Sequence, residues 1–296
     1  MNAESGVRDL YQAALEMERR TRDHFRKLAA DLPAYTKTMR LSPRCYAVTG
    51  LGYSPPWCVN AGFITGDELT LVVDTGGNTL AAQTIHGYAA AARPGNQLCV
   101  VNTEKHFDHI GGNGFFREQG IDVWGHAGIA RTDAEFQAEI AEFNEAIPNA
   151  SRRARGEASA FFHGTRLVNP NCRIHEDTRF SLGGSQVEIL LAPGHTATNL
   201  SVWVPEDGVL YTGDCLISEY LPNLDAGTRE DWQVWLASLE RIEALKPAMV
   251  VAGHGPVARG AQVQAIVDAV RRVLVESIAR GFSPTAERSG RSARPT

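Results

Sequence analysis

The sequence predicts an α+β fold in which two packed, mixed β-sheets carry helices on their outer faces. Two observations predict it. Strand-like stretches bounded by Gly and Asp turns recur in both halves of the 296-residue chain. Each half also holds stretches of helical period, which must lie over a sheet to bury their apolar side. No tandem repeat of solenoid or propeller period is present.

Taken in order, residues 1–35 read as helical and loosely amphipathic, with Leu10, Leu15, Phe25 and Leu28 among many charges. They form an N-terminal helical extension, residues 1–40, suited to a lid or an oligomer contact, so a homo-oligomer stays open. The main domain runs over 41–281. It starts with strands at "CYAVTG", "CVNAGFIT" and "ELTLVVDTG", followed by a helix at "TLAAQTIHGYAAAA". The short buried strand "QLCVVNT" leads into "VNTEKHFDHIGG", and "IDVWGHAG" is the next strand. Residues 128–164 break the alternation as a helical insertion, with Phe136, Ile140, Phe143 and Ile147 at helical spacing. The basic run Arg152 to Arg155 reads as a solvated helix end. Strands return at "RFSLGG", "QVEILLAP", "LSVWVPEDGVLYTGD" and "AMVVAGHG". Between the last two, a helix over Arg229–Leu245 aligns Trp232, Trp235, Leu236, Leu239 and Ile242, and Thr228 with Asp231 suits a capping box. Val263, Ile266, Val267, Val270 and Leu274 mark a last helix, and residues 282–296 have the composition of a disordered tail.

Composition narrows the function. A formal charge of −5 with no basic stripe argues against nucleic-acid and anionic-membrane partners. The polar start "MNAESGVRDLYQ" lacks a secretion signal, and no apolar run nears the roughly 18 residues of a membrane span. Cys45, Cys58, Cys99, Cys172 and Cys215 are odd in number and scattered, which fits reduced thiols. The expectation is a cytoplasmic protein acting on a small molecule.

Four of the nine histidines share informative surroundings. His106 and His109 lie with Glu104 and Asp108 in one short loop. His195 in "LAPGHTATNLS" and His254 in "VVAGHGPV" each follow an apolar strand at a Gly–His turn, and Asp214 in "VLYTGDCLI" has the same context. Strand-end loops at one edge of a layered fold make a concave site. Imidazole with carboxylate suits zinc, iron or manganese better than calcium or magnesium. If the loop is extended, alternation lets Glu104, His106 and Asp108 converge. His109 then turns at the start of the next helix, with "IGG" allowing close backbone approach to the ions.

The run Thr103 to Gly112, followed by "PGHT", "TGD" and "GHGP", resembles the metallo-β-lactamase-fold superfamily over roughly residues 44–258. That family's first motif is His-x-His-x-Asp-His. The resemblance implies an αββα sandwich with a dinuclear metal site at one edge. Site one is then Glu104, His106 and His195, and site two is Asp108, His109 and His254, with Asp214 bridging. Asp74 in "VVDTG" matches a supporting aspartate. The implied cofactors are two divalent ions, zinc first. The implied reaction is attack by a metal-bound hydroxide on an ester, thioester, lactone or amide carbonyl, with Asp108 as the catalytic residue that orients the nucleophile and relays its proton.

Glu104 is the departure, since the family has histidine there. Three carboxylates and a bridging hydroxide neutralise two divalent ions, whereas a histidine would leave one positive charge. A neutral site acidifies water less, and a hard oxygen ligand shifts site one toward manganese or iron. Aspartate at 214, where true β-lactamases carry Cys or Ser, brings the chain nearer the glyoxalase II and lactonase branches. The lactonase tyrosine position is Ile217, and "HGPVARGAQVQ" does not resemble the basic glutathione-binding tail of glyoxalase II. Tyr53, Trp57, Asn199 and Tyr220 are the candidate substrate contacts. An iron-dependent oxidoreductase on the same fold, a β-lactamase-type amide hydrolase and a non-catalytic metal-binding module are the rival readings.

Overall fold

The computed structural model describes residues 36–51, 59–146, 160–218, 222–224 and 227–281. Outside them lie residues 1–35, where the sequence predicts a helix, and Tyr53, Trp57, Ile147, the Arg152–Arg155 run, Tyr220 and residues 282–296.

The first half opens with β1 (Lys37–Arg40), β2 (Cys45–Leu51), β3 (Val59–Thr65) and β4 (Leu69–Val73), paired antiparallel in that order. Helix α1 (Thr79–Ala92) crosses over to β5 (Gln97–Val101), which pairs parallel with β4. Two short helices, α2 (Phe107–Ile110) and α3 (Asn113–Glu118), precede β6 (Val123–His126), itself parallel to β5. The insertion begins with α4 (Asp133–Ala146), and β7 (Cys172–Ile174) closes this half beside β6.

The second half is the antiparallel run β8 (Thr178–Ser181), β9 (Gln186–Leu191), β10 (Leu200–Val204) and β11 (Val209–Ile217). Helix α5 (Arg229–Leu245) returns the chain to β12 (Met249–His254), parallel to β11. The two-residue β13 (Ala258–Arg259) and α6 (Ala261–Arg280) follow. Among the described residues, strand pairing joins the halves only where β12 meets β3, at His254 opposite Val59.

The buried side chains define four layers. One cluster combines Cys45, Ile64, Leu71 and Val101 of the first half with Ile189, Val202, Val204 and Tyr211 of the second, so the two sheets face each other across it. A second sets Trp232, Trp235, Leu239 and Ile242 of α5, and Val263, Val267, Val270 and Leu274 of α6, against Leu210, Leu216, Val250 and Ala252. A third sets Ala81, Ala82, Ile85 and Ala89 of α1 and Phe116 of α3 against Phe63, Val72 and Val100. Helix, sheet, sheet, helix is therefore the order of layers, as expected for strands buried on both faces.

The capping box at α5 is formed: Thr228 Oγ1 accepts from the Asp231 N–H, and the Asp231 carboxylate accepts from the Thr228 N–H at 2.7 Å. The boundary drawn at residue 40 needs correction. Lys37–Arg40 is a strand paired with β2, so the sheet domain already includes residues assigned by sequence to the helical extension. A strand this short, with a half-exposed pattern, carries no usable alternation. Cys45, Cys99, Cys172 and Cys215 are free thiols, and burial pushes Cys45, Cys99 and Cys215 up to about 12.

Candidate metal centre

The segment after β5 does not continue as an extended strand. Residues 103–106 bend, His106 caps α2, and Asp108 and His109 both lie within that helix. Convergence of Glu104, His106 and Asp108 therefore comes from a bend followed by a helical turn, in place of the expected alternation. His109 is likewise the third of the four residues of α2 and not at its start. Gly111 and Gly112 also serve differently from expectation. A methyl group at either would strike backbone of the 75–77 loop, through the Gly77 and Thr75 carbonyls, so these glycines let two backbones touch.

A buried polar network fixes this turn. Asn102 Nδ2 donates to the His109 carbonyl and to Asn113 Oδ1, both at 3.1 Å, and Thr75 Oγ1 donates to the same two acceptors at 3.0 Å. Asn113 Nδ2 donates back to Asn102 Oδ1 at 2.8 Å. Asp74 holds φ 62, a left-handed conformation disfavoured for a non-glycine residue. Its carboxylate accepts from the Thr103 N–H at 2.7 Å and from Thr103 Oγ1 at 2.6 Å, and faces His109 Nδ1 at 2.9 Å. That contact assigns a proton to Nδ1 and leaves His109 Nε2 turned to the centre, where it would be the donor atom to a cation.

The later motifs arrive from the second sheet. His195 follows β9 and turns Nδ1 to the Asn223 carbonyl at 2.9 Å, leaving Nε2 3.1 Å from His106 Nδ1. Asp214 is inside β11 rather than at a strand end, in a stretch where the register with β12 shifts on both sides of Gly213. Such irregular pairing re-aims a side chain. His254 is the last residue of β12. A methyl group at Gly253 would overlap Asp214 Oδ1, so glycine there lets the carboxylate lie flat against the neighbouring strand.

The seven predicted side chains meet. Glu104, His106 and His195 form one group with ligand atoms mutually within 4.8 Å; Asp108, His109 and His254 form a second; Glu104, His109 and Asp214 form a third. Glu104 Oε1 is 2.8 Å from His106 Nδ1 and 3.6 Å from His109 Nε2. Asp214 Oδ1 is 3.2 Å from His109 Nε2 and 3.4 Å from His254 Nε2, and Asp108 Oδ2 is 3.3 Å from His254 Nε2. Glu104 Oε2, His109 Nε2 and Asp214 Oδ1 are buried without a hydrogen-bond partner of good geometry. Buried polar atoms left in that state are costly unless another group satisfies them. A divalent cation fits this donor set of imidazole nitrogens and carboxylate oxygens. The opening lies over His106 and Asp108, whose side chains are 25% and 15% exposed, while Glu104 and His109 are closed from solvent.

The electrostatics agree. Burial alone would raise the carboxyls, yet His254 and His109 hold Asp214 well below its usual value. Glu104 and Asp108 are also lowered against burial, the first by His106 and His109, the second by His109 and His254. In reverse, burial would lower the imidazoles, but Glu104 and Asp108 raise His106 to about 9, and Asp214 and Asp108 raise His254 to about 10. Asp74 is raised, by burial first. These carboxylates demand positive charge, which protons supply when no cation does. For metal-stripped protein the sign follows. A folded-state imidazole raised above about 6.5 contributes stability that is complete below that pH and is lost as pH rises through 9 to 10. Its melting temperature should fall from pH 7 to pH 10, and bound metal, whose ligands are neutral imidazoles, should flatten that fall. Equal pH slopes with and without chelator would contradict this.

The insertion is tied to the same loop. Arg131 Nη1 donates to the Lys105 carbonyl at 3.2 Å and to Glu139 Oε1 of α4 at 2.7 Å. Phe136 of α4 and Phe162 pack with Phe107, which lies between His106 and Asp108. Asn199 does not line the cleft. It is fully buried, its Oδ1 accepting from the Thr196 N–H at 2.7 Å, so it shapes the turn after His195 and offers a substrate no surface. Sequence reasoning missed Thr75, Asn102, Asn113, Arg131 and Asn223. None has a motif context, although the Asn102–Thr103 pair directly before Glu104 was a usable signal.

Comparison with known proteins gives a consistent family. The sequence profile of the Metallo-beta-lactamase superfamily matches residues 55–254. A "Beta-lactamase-like protein 2 homolog" of Caenorhabditis elegans is 34% identical over 79 residues, 26% of this chain and 24% of that protein. A hydroxyacylglutathione hydrolase of Synechococcus sp. (strain JA-3-3Ab) is 25% identical over 173 residues, 54% of this chain and 56% of the relative. The chain thus spans little more than half, or less, of these relatives' lengths. A metallo-beta-lactamase from Pontibacter korlensis superposes with a TM-score of 0.58 at 20% identity, over 81% of this chain and 99% of the other, a likeness of fold.

Proposed function

The chain belongs to the metallo-β-lactamase superfamily, and from that premise we propose that it is a metal-dependent hydrolase of an ester, thioester, lactone or amide carbonyl. One observation carries the reading: seven ligand-type side chains, brought from four separated stretches of sequence, meet in three groups that share members. Under it, Glu104, His106 and His195 hold one ion, Asp108, His109 and His254 hold the other, and Asp214 lies between them. Bound divalent ions would supply a water acidified to a nucleophile and a Lewis acid for the carbonyl.

The protein's own residues do the rest. Asp108 stands at the opening, where its carboxylate takes the proton of the attacking water and returns it to the leaving group. Asp74 fixes the His109 ring, and the Asn223 carbonyl fixes the His195 ring, so neither turns away from the centre. Helix α4, anchored through Phe136 and Arg131, walls one side of the opening. Glu104 lowers the charge of the centre and adds an oxygen donor, favouring manganese or iron at its site.

A thioester stands first among substrates because relatives named hydroxyacylglutathione hydrolases align with about half of the chain. Among the described residues no helix is long and apolar enough to cross a membrane. Chelation should abolish hydrolysis across a panel of thioesters, esters, lactones and β-lactams, and added zinc, manganese or iron should restore it. Failure of every metal to restore turnover on any of them would refute the hydrolase reading. Colour and oxygen consumption in an iron-loaded preparation would replace it with an oxidoreductase.

A further inference from the structure

Resting on the two-ion reading above, we propose that Glu104 is a bridging ligand, its carboxylate shared by the two ions, rather than a terminal ligand of one. Glu104 belongs to two of the three donor groups, one with His106 and His195 and one with His109 and Asp214. Its Oε1 spans them, 2.8 Å from His106 Nδ1 and 3.6 Å from His109 Nε2.

The pattern of unsatisfied atoms points the same way. Within the centre, the buried atoms without a hydrogen-bond partner are Glu104 Oε2, His109 Nε2 and Asp214 Oδ1, and their residues make up the third group. Oε1 is already engaged by the His106 N–H at 3.0 Å, which orients the carboxylate without consuming its second lone pair. Oε2 has no such partner, and complete burial denies it water. A histidine could not act in this way, because its two ring nitrogens point in divergent directions and only one can face the centre. The substitution therefore changes more than charge. With Asp214, the centre gains a second carboxylate shared by both ions, and loading one ion pre-forms part of the site for the other.

Two measurements test this. In a crystal structure of manganese-loaded protein collected at the manganese absorption edge, the expected result is two anomalous peaks, each with one Glu104 oxygen in ligating distance. Two peaks with both Glu104 oxygens on one ion, or with Glu104 on neither, would overturn the bridge and leave the two-ion reading intact. One peak or none would overturn the two-ion reading and the bridge with it. In manganese titrations of chelator-stripped protein, Glu104→Gln should weaken both binding steps by at least about tenfold, the scale seen even for residues that only orient a ligand. Glu104→His, which restores a nitrogen donor to one site, should recover one step and leave the other weak. Recovery of both steps would show a terminal ligand.

Discussion

Replacing Asp108 by asparagine is expected to lower hydrolysis by about 10²–10⁴-fold, the usual contribution of a positioned proton acceptor, in a chain that still folds. The substitution keeps the shape of the side chain and removes its capacity to take a proton. Asp108 is suited to that role by position. It lies on the exposed rim of the centre, with Oδ2 3.3 Å from His254 Nε2 and 3.9 Å from His109 Nε2. In the metal-free chain His109 and His254 hold it ionised despite burial, and bound cations would do the same. Because the same residue is a candidate ligand, the assay belongs at saturating metal, with bound metal counted in parallel. Full activity recovered by excess metal would reduce Asp108 to a ligand and remove the proton role.

Trp235→Ala is expected to cost about 3–5 kcal/mol of folding stability, the range for deleting a large buried aromatic. Trp235 is among the largest fully buried side chains. It fills the space between α5 and the second sheet, and its Nε1 donates to the Cys215 carbonyl at 2.9 Å. Its ring also lies against Gly194, where a methyl group would be 2.8 Å from Trp235 Cδ1, and 6.2 Å from the His195 ring by centroids. Core and centre thus share this side chain. Trp235→Phe keeps most of the apolar volume but strands the Cys215 carbonyl, and should cost about 1–3 kcal/mol. Urea unfolding measures both, and a Trp235→Phe variant as stable as the wild type would show that the hydrogen bond contributes nothing.

The centre was legible in the sequence because its residues carry their context with them. A Gly–His turn after an apolar strand, or four ligand-type residues within six positions, has few other uses, and all seven side chains meet. Helix α5 was legible for a similar reason. Its cap, its apolar face and its length all agree, from Thr228 through Leu245. What failed were local geometries set by tertiary contact. Asp214 lies in an irregular stretch of β11 whose register depends on β12, a partner some 40 residues away in sequence. The bend at 103–106 is held by Asp74, Thr75 and Asn113, ordinary polar residues with no periodicity to reveal them. Asn199 followed a motif histidine and so invited a substrate role, yet it is fully buried with its Oδ1 closing the turn at Thr196. The strands β1, β7 and β13, four residues or fewer, are too short for an alternating pattern to be distinguished from a loop.

The most direct test of the central claim, a two-ion centre in which Glu104 is a working ligand, is elemental analysis of metal per chain. The wild-type protein and its Glu104→Gln and Glu104→His variants are to be purified without added metal or chelator. The expected result is two divalent ions per wild-type chain, with a lower count for Glu104→Gln and a changed metal identity for Glu104→His. Two zinc ions per chain in the wild type and in both variants would contradict it, because Glu104 would then have no part in holding the metals.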